Sequence, residues 1–273
     1  MIKLLIDIGN TNTSLAILGR GKIQRYKFIH TAKKEVSPKA LKRLLKMNLP
    51  KIDEIVIVSV VPRFLKIIKS ALEKIAPGIK ITVVGKDLKV PIANRYRKPA
   101  EVGQDRLVTA FSAFKKCGSP VIAIDFGTAL TMDYVSNKGE YMGGLIFPGL
   151  RLALKSLVRG TALLPKVYIE PTTGFIGRDT KGSMNNGILY GYAAMCDGLI
   201  EEFRERFGKS VKVVATGGDA KLVARYSKHI KKVSPDLIFE GLCLMMRDTG
   251  HVSCATKQRN IDRISGCESR VTI

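Results

Sequence analysis

Asp7-Ile8-Gly9-Asn10-Thr11-Asn12-Thr13 follows one apolar run, and Asp125-Phe126-Gly127-Thr128-Ala129-Leu130-Thr131, 118 positions further on, follows another. Glycine lets backbone N–H groups come close to an anion, Thr and Asn side chains add hydrogen-bond donors, and a carboxylate at a strand end can hold a cation that bridges phosphates. Either segment alone could be an ordinary hairpin turn, since Asp, Gly and Asn are what such turns use. Two of them at equivalent places in two similar units point instead to hairpins that face each other as a phosphate clamp.

Outward from the first segment, the runs 4–7, 14–18 and 22–30 are separated by turn residues and predict a meander of three strands. A β-branched run at 52–61 predicts a buried strand. The stretch 63–76 then carries Phe64, Ile68, Ala71, Leu72 and Ile75 at helical spacing, with Gly78 just beyond it as a stop. A strand over 79–85 leads through a polar loop to a helix starting near Arg106, with Leu107, Phe111 and Phe114 on one apolar face; a further helix is expected around 38–47. Around the second segment the pattern restarts with strands at 121–125, 130–135 and 140–147. After a long middle stretch come a helix at 190–207, a strand at 211–218, and helices at 219–226 and 234–246. The expectation is an internal duplication of an α/β unit of about 120 residues. Its halves are 1–118 and 119–246, joined near Gly118-Ser119-Pro120, and 247–273 forms a peripheral tail without periodicity.

Composition agrees with a globular chain: of 273 residues 45% are hydrophobic and 25% charged, which sets aside disordered, collagen-like and disulfide-rich classes. No apolar run reaches the roughly 18–20 residues that span a bilayer, so no membrane partner is expected. Met1-Ile2-Lys3 runs directly into a strand-like segment without the basic and apolar regions of a signal peptide, and the expected location is the cytoplasm. The five cysteines, 117, 196, 243, 254 and 267, include no CxxC pair, and with three histidines they predict reduced thiols and no structural zinc. The net charge of +23 suits anionic partners. With no run of five basic residues, no aromatic-interleaved basic stripe and no Trp, it reads as a basic solvated surface that favours anionic small substrates, and nucleic acid is not the expected partner.

A third element, Ala215-Thr216-Gly217-Gly218, stands at a strand end before a helix, where glycines let a flat ring or phosphate lie against the backbone, or where they merely make a tight turn. The three elements in this order resemble the superfamily of acetate and sugar kinases, heat-shock chaperones and actin, whose ATP-binding fold is a pair of ribonuclease-H-like halves. Within it, five motifs resemble type III pantothenate kinases over residues 1 to about 243: Asp7 to Thr13, Glu101-Val102-Gly103-Gln104-Asp105-Arg106, Asp125 to Ala129, Gly143-Gly144-Leu145-Ile146-Phe147-Pro148-Gly149, and Gly177-Arg178-Asp179-Thr180.

That resemblance implies two mixed-sheet halves around an ATP cleft and specific roles for the motif residues. Asp7, Ile8, Gly9, Asn10, Thr11, Asn12, Thr13 and Ser14 would bind ATP phosphates with Mg2+, and Thr128 would also bind ATP. Asp125 would hold a monovalent cation, K+ or NH4+, although the residues alone do not tell potassium from magnesium there. Gly103, Gln104, Asp105 and Arg106 would contact pantothenate, with Asp105 as the acceptor of the hydroxyl proton. Asp105 also stands where an N-cap would sit for the helix beginning near Arg106, so two roles compete for one carboxylate. Arg106 offers a bidentate partner for a carboxylate or phosphate. Tyr96 and Thr180 match positions that hydrogen-bond the substrate, although Tyr96 could equally be a ring in a surface loop. Gln104 departs from the alanine usual in the family and could crowd the pocket.

The expected activity is transfer of a phosphoryl group from ATP to pantothenate, giving 4'-phosphopantothenate as the first step of coenzyme A synthesis, in a homodimer whose substrate pocket lies near the subunit interface. The competing class is a non-catalytic relative acting as a transcription accessory factor or nucleic-acid binder. Intact Asp7, Asp105, Arg106 and Asp125 favour catalysis, because a binding-only protein has no use for acceptor and cation carboxylates together.

Overall fold

The computed structural model describes residues 1–31 and 52–248. The helix expected at 38–47 lies outside the described residues, as does the tail expected at 247–273 except for Arg247 and Asp248, which are not tail but the end of the last described helix.

Two mixed sheets are built on one plan. The first contains β1 (Ile2–Ile8), β2 (Asn12–Gly19), β3 (Lys22–His30), β4 (Ile52–Ser59) and β5 (Lys80–Val83) in the order β3-β2-β1-β4-β5. The second contains β6 (Val121–Phe126), β7 (Ala129–Val135), β8 (Tyr141–Pro148) and β9 (Lys212–Thr216) in the order β8-β7-β6-β9. In each, a strand starts an antiparallel meander on one side and pairs in parallel on the other, β1 with β4 and β6 with β9. The duplication extends to single residues: Asp7 pairs across its hairpin with Ser14 and lies beside Val58, while Asp125 pairs with Thr131 and lies beside Thr216. This is the expected duplicated ribonuclease-H-like architecture, with two mixed-sheet α/β halves.

The central strands are apolar on both faces because helices cover both faces. Leu4, Ile6 and Ile8 of β1 pack on Phe64, Ile68 and Leu72 of α1 (Pro62–Ile75). Leu5, Val56 and Val58 face Val108 and Phe111 of α2 (Gln104–Cys117) and Phe239, Leu242 and Met245 of α6 (Leu237–Asp248). On the second sheet, Ile122, Ile124 and Phe126 pack on Leu189, Ala193, Cys196 and Ile200 of α4 (Thr180–Phe207), whereas Val121 and Ala123 meet Leu107, Ala110 and Ala113 of α2. Helix α2 is thus gripped by both sheets, and residues 107–113 are buried all round rather than along the one face expected from Leu107, Phe111 and Phe114.

Other elements differ in extent from the sequence reading. Helix α4 begins at Thr180, ten residues earlier than expected, because Gly182 and Gly187 dilute the helical signal in its first turns. Helix α3 (Leu150–Arg159) lies in the long middle stretch, where the sequence pattern predicts no element. The helix expected at 219–226 contracts to α5 (Ala220–Val223), and α6 starts at Leu237 rather than at Ser234, whose hydroxyl is taken by the Lys116 ammonium and the Glu240 carboxylate. Among the described residues no helix is long and apolar enough to cross a membrane.

One buried ion pair stitches β1, β4, β5 and α6 together. Lys3, 1% exposed, donates through Nζ to Glu54 Oε2 at 2.6 Å and contacts Met246 Sδ at 3.4 Å, and Thr82 donates to Glu54 Oε1 at 3.0 Å. Burial raises the Glu54 carboxyl, but the hydrogen bond and charge of Lys3, with help from Thr82 and Lys80, outweigh it and leave the group below its ordinary value. A carboxyl depressed on folding contributes stability above its unfolded value and loses it as pH falls through the folded one. Removing one member of a buried pair costs about 3–5 kcal/mol. Glu54→Gln should therefore lower the urea midpoint at neutral pH and flatten the acid-side fall in stability seen in the unmodified chain, both readable from denaturation curves at several pH values.

Candidate active site

The first hairpin closes with Gly9 donating to the Asn12 carbonyl at 3.0 Å. Thr31 buttresses it: its hydroxyl donates to the Gly9 carbonyl at 2.8 Å, its amide donates to the Thr11 carbonyl at 2.9 Å, and it shares a hydrogen bond with Thr13 at 3.0 Å. Ile8 and Thr13 are consequently buried, Asp7, Gly9 and Ser14 are half-buried, and Asn10, Thr11 and Asn12 are exposed. In the second hairpin Gly127 donates to the Ala129 carbonyl at 3.2 Å, leaving Gly127 and Thr128 exposed at its tip and Asp125 half-buried at the end of β6. The tips touch, since the Thr128 hydroxyl donates to Thr11 Oγ1 at 2.8 Å.

The third element lies against the second hairpin. Gly217 has φ +94, and an added Cβ would collide with Asp125 Oδ1 and the Phe126 backbone, so the chain after β9 is pressed onto the strand end that carries Asp125. Gly149, the N-cap of α3, approaches the Gly127 and Thr128 carbonyls so closely that no side chain fits. Arg151 of α3 makes a bidentate bond to Asp219 at 2.8 and 3.2 Å, tying this helix to the segment following Gly218.

Asp105 and Arg106 occupy the first turn of α2. The N-cap is Gly103, so the capping role weighed for Asp105 is not realised; its Oδ1 instead accepts the amide of Arg106 at 2.7 Å. The carboxylate folds back over Gly103, which also packs on Val60, and the Val60 amide donates to the Ile8 carbonyl at 3.1 Å. Through these contacts the start of α2 is seated beside the end of β1 and its hairpin. Burial, the largest influence, raises the Asp105 carboxyl; the hydrogen bond from the Arg106 amide lowers it by less, and the smaller effects of the Asp133 charge, which raises it, and the Arg106 guanidinium, which lowers it, follow. The result is a carboxylate with more than ordinary proton affinity, which suits a proton acceptor.

Arg106 is held by a residue absent from the sequence motifs. Its Nε and Nη2 donate to Asp133 Oδ1 at 3.0 and 2.6 Å, and the Tyr141 hydroxyl donates to the same oxygen at 2.8 Å. The signal available in the sequence was a lone carboxylate inside the apolar run 130–135, which a buried strand tolerates only opposite a cation. Tyr96 lies over Gly143 with its ring 6.4 Å from that of Tyr141, so it packs beside this cluster. The Gln104 side chain lies on Gly85, whose φ of +86 and missing Cβ make room for it.

Thr180 is placed apart. It opens α4 after the N-cap Asp179, which accepts the Gly182 amide at 2.8 Å, and it is exposed. Among the described residues its side chain makes no hydrogen bond to the Asp105 cluster. The segment leading to it carries Leu163, Tyr168, Phe175 and Ile176, with the last two 72% and 77% exposed.

Two Asp-x-Gly hairpins from two sheets thus meet tip to tip, and the half-buried Asp105 carboxylate, of raised proton affinity, stands at the start of the helix seated beside the first of them, an arrangement that suits a nucleotide-dependent phosphotransferase. The family model for type III pantothenate kinase matches residues 3–202. Type III pantothenate kinases from Finegoldia magna and Persephonella marina are 38% and 40% identical to the chain, covering 88% and 81% of it and 95% and 88% of their own lengths. The chain belongs to the type III pantothenate kinase family. Among solved structures, a Campylobacter jejuni protein described as a Baf family transcriptional activator superposes with a TM-score of 0.59 at 20% identity, over 91% of this chain and all of that one. The ethanolamine utilization protein EutJ from Carboxydothermus hydrogenoformans gives 0.52 at 12% identity, over 90% of each chain. At these identities the two share the fold.

Proposed function

We propose that the chain transfers the γ-phosphoryl group of ATP to the primary hydroxyl of pantothenate, giving 4'-phosphopantothenate and ADP, the opening step of coenzyme A synthesis. The observation that carries this reading is the Thr11–Thr128 contact, which joins the two hairpins, with the start of α2 and its Asp105 seated at the end of β1 through Gly103, Val60 and the Ile8 carbonyl. ATP phosphates lie along the exposed residues of the two joined hairpins, with the adenosine toward Gly217-Gly218. Pantothenate lies against Gly103 to Arg106 and Tyr96. The P–O bond to ADP breaks, the new P–O bond forms to the hydroxyl oxygen, and the proton passes to Asp105. Phosphoryl transfer is chiefly positioning and charge stabilisation, so Asp105 orients the hydroxyl first and takes its proton late.

The carboxylates fit hard cations. Asp7, half-buried opposite Ser14, suits Mg2+ shared with ATP phosphates, an ion commonly held by one or two carboxylates plus substrate oxygens. Asp125, opposite Thr131, suits K+ or NH4+. Such cations, when bound, neutralise phosphate charge. A homodimer accounts for Thr180, which would serve the pocket of the adjacent copy, and for the exposed Met142, Ile146, Leu152, Phe175 and Ile176. A cytoplasmic location goes with this metabolic role.

The test is ADP release from ATP and Mg2+ with and without pantothenate, in potassium buffer and with potassium replaced by a large organic cation. Pantothenate-dependent release that needs potassium is expected. A folded chain that releases no ADP with pantothenate overturns the kinase reading, and release indifferent to potassium overturns the monovalent-cation site.

A further inference from the structure

Asp133 has an environment more elaborate than a structural ion pair requires. Its side chain is 1% exposed and accepts from three side chains on three elements: Arg106 of α2, Tyr141 of β8, and Thr131 of its own strand, whose hydroxyl meets Oδ2 at 3.1 Å. Thr131 is also the cross-strand partner of Asp125, so the Asp133 cluster is continuous with the second hairpin. A guanidinium has five N–H donors in a fixed fork, and Asp133 engages the Nε side of Arg106, leaving the Nη1 edge for another acceptor.

We infer that Asp133 is a positioning residue of the transfer site, fixing Arg106, the chain neighbour of Asp105, so that its remaining edge serves a substrate anion. The inference rests on the kinase reading for its substrate. Buried carboxylates held only for stability gain little over apolar replacements, whereas one that aims an arginine beside a proton acceptor acts on the reaction. The charged groups that bear on Asp105 are Arg106 of its own helix and Asp133 of β7; those that bear on Arg106 are Asp133, Tyr141 and Tyr96. Asp133 works on Asp105 in the raising direction and Arg106 in the lowering one. Neutralising Asp133 removes the first influence and releases the second, so both changes move Asp105 toward lower pH.

Asp133→Asn keeps the volume and removes the charge. Loss of a charge-assisted hydrogen bond predicts a fall in kcat/KM for pantothenate of about 10–100-fold, with KM for ATP near its original value and the acid limb of the pH profile displaced to lower pH. Asp133→Glu, which keeps the charge, should hold the limb in place. Titration of the Asp105 carboxyl by 13C NMR, assigned with Asp105→Asn, reads the same displacement without turnover. An Asp105 titration identical in the unmodified chain and Asp133→Asn overturns the inference, as does an activity loss that only follows thermal melting. Should Asp133→Asn fail to fold, Tyr141→Phe removes one donor and keeps the ring; a raised KM for pantothenate supports the positioning role and an unchanged one overturns it. A chain that is inactive with pantothenate yet shows the displaced Asp105 titration overturns the kinase reading and leaves the Asp133–Asp105 coupling intact.

Discussion

Asp105→Asn is expected to abolish turnover while leaving ATP binding near that of the unmodified chain. The amide has the same shape, its carbonyl oxygen can still accept the Arg106 amide as Oδ1 does at 2.7 Å, and the start of α2 keeps its Gly103 cap. What disappears is the proton acceptor, a group that contributes typically about 10²–10⁴-fold to rate. The unmodified chain should show an acid limb in kcat/KM above the usual carboxylate range, because burial and then Asp133 raise Asp105. Stability should move the other way. A carboxyl raised on folding favours the native state below its unfolded value and loses that contribution as pH rises through the folded one, so at neutral pH the ionised group opposes folding. Asp105→Asn should accordingly melt higher than the unmodified chain at pH 7, the pattern of a site that holds a strained charge for function. Steady-state kinetics, nucleotide calorimetry and a melting curve check the three parts. A loss of ATP affinity as large as the loss of turnover would mean that the carboxylate shapes the helix start and does not take the proton.

The legible parts of this molecule are those encoded locally. Strand β1 was visible because a both-faces-buried strand is a continuous apolar run, and its hairpin because Gly9 and Asn12 must close it within four residues. The duplication was visible because the same local requirement recurs at Gly127. What depended on contacts distant in sequence was hidden. The Arg106–Asp133 pair spans 27 positions and two elements, and nothing in either neighbourhood specifies the other. For the same reason Arg106 read as a free anion receptor, whereas Asp133 takes one side of its guanidinium. Helix α2 presented one apolar face because periodicity counts only strongly apolar side chains, yet Thr109 and Ser112 are buried too, gripped between two sheets that a sequence window does not see together. The N-cap was displaced because Gly103 can take the cap conformation without a side chain, which freed Asp105 for the first turn.

Asp125→Ala is expected to raise the apparent KM for ATP and to eliminate activation by potassium, with KM for pantothenate little changed. The prediction follows from where the carboxylate stands. Its strand end lies between Thr131 of β7 and Thr216 of β9, and the backbone of Gly217 is pressed onto Oδ1. This one side chain therefore borders both the hairpin proposed to hold phosphates and the glycine segment proposed to hold adenosine. Loss of a charge-assisted contact there corresponds to about 10–100-fold in affinity. Asp125→Asn separates charge from volume: it should lose potassium activation as completely as the alanine variant while keeping the packing against Gly217. Gly217→Ala provides a second route to the same site, because a φ of +94 strains any L side chain and the new Cβ collides with Oδ1. Displacing the carboxylate in this way should raise KM for ATP in the same direction without removing the charge, so that potassium still activates at higher concentration. Initial rates over a grid of ATP and potassium concentrations distinguish the three variants, and potassium dependence unchanged in Asp125→Ala would place the monovalent cation elsewhere.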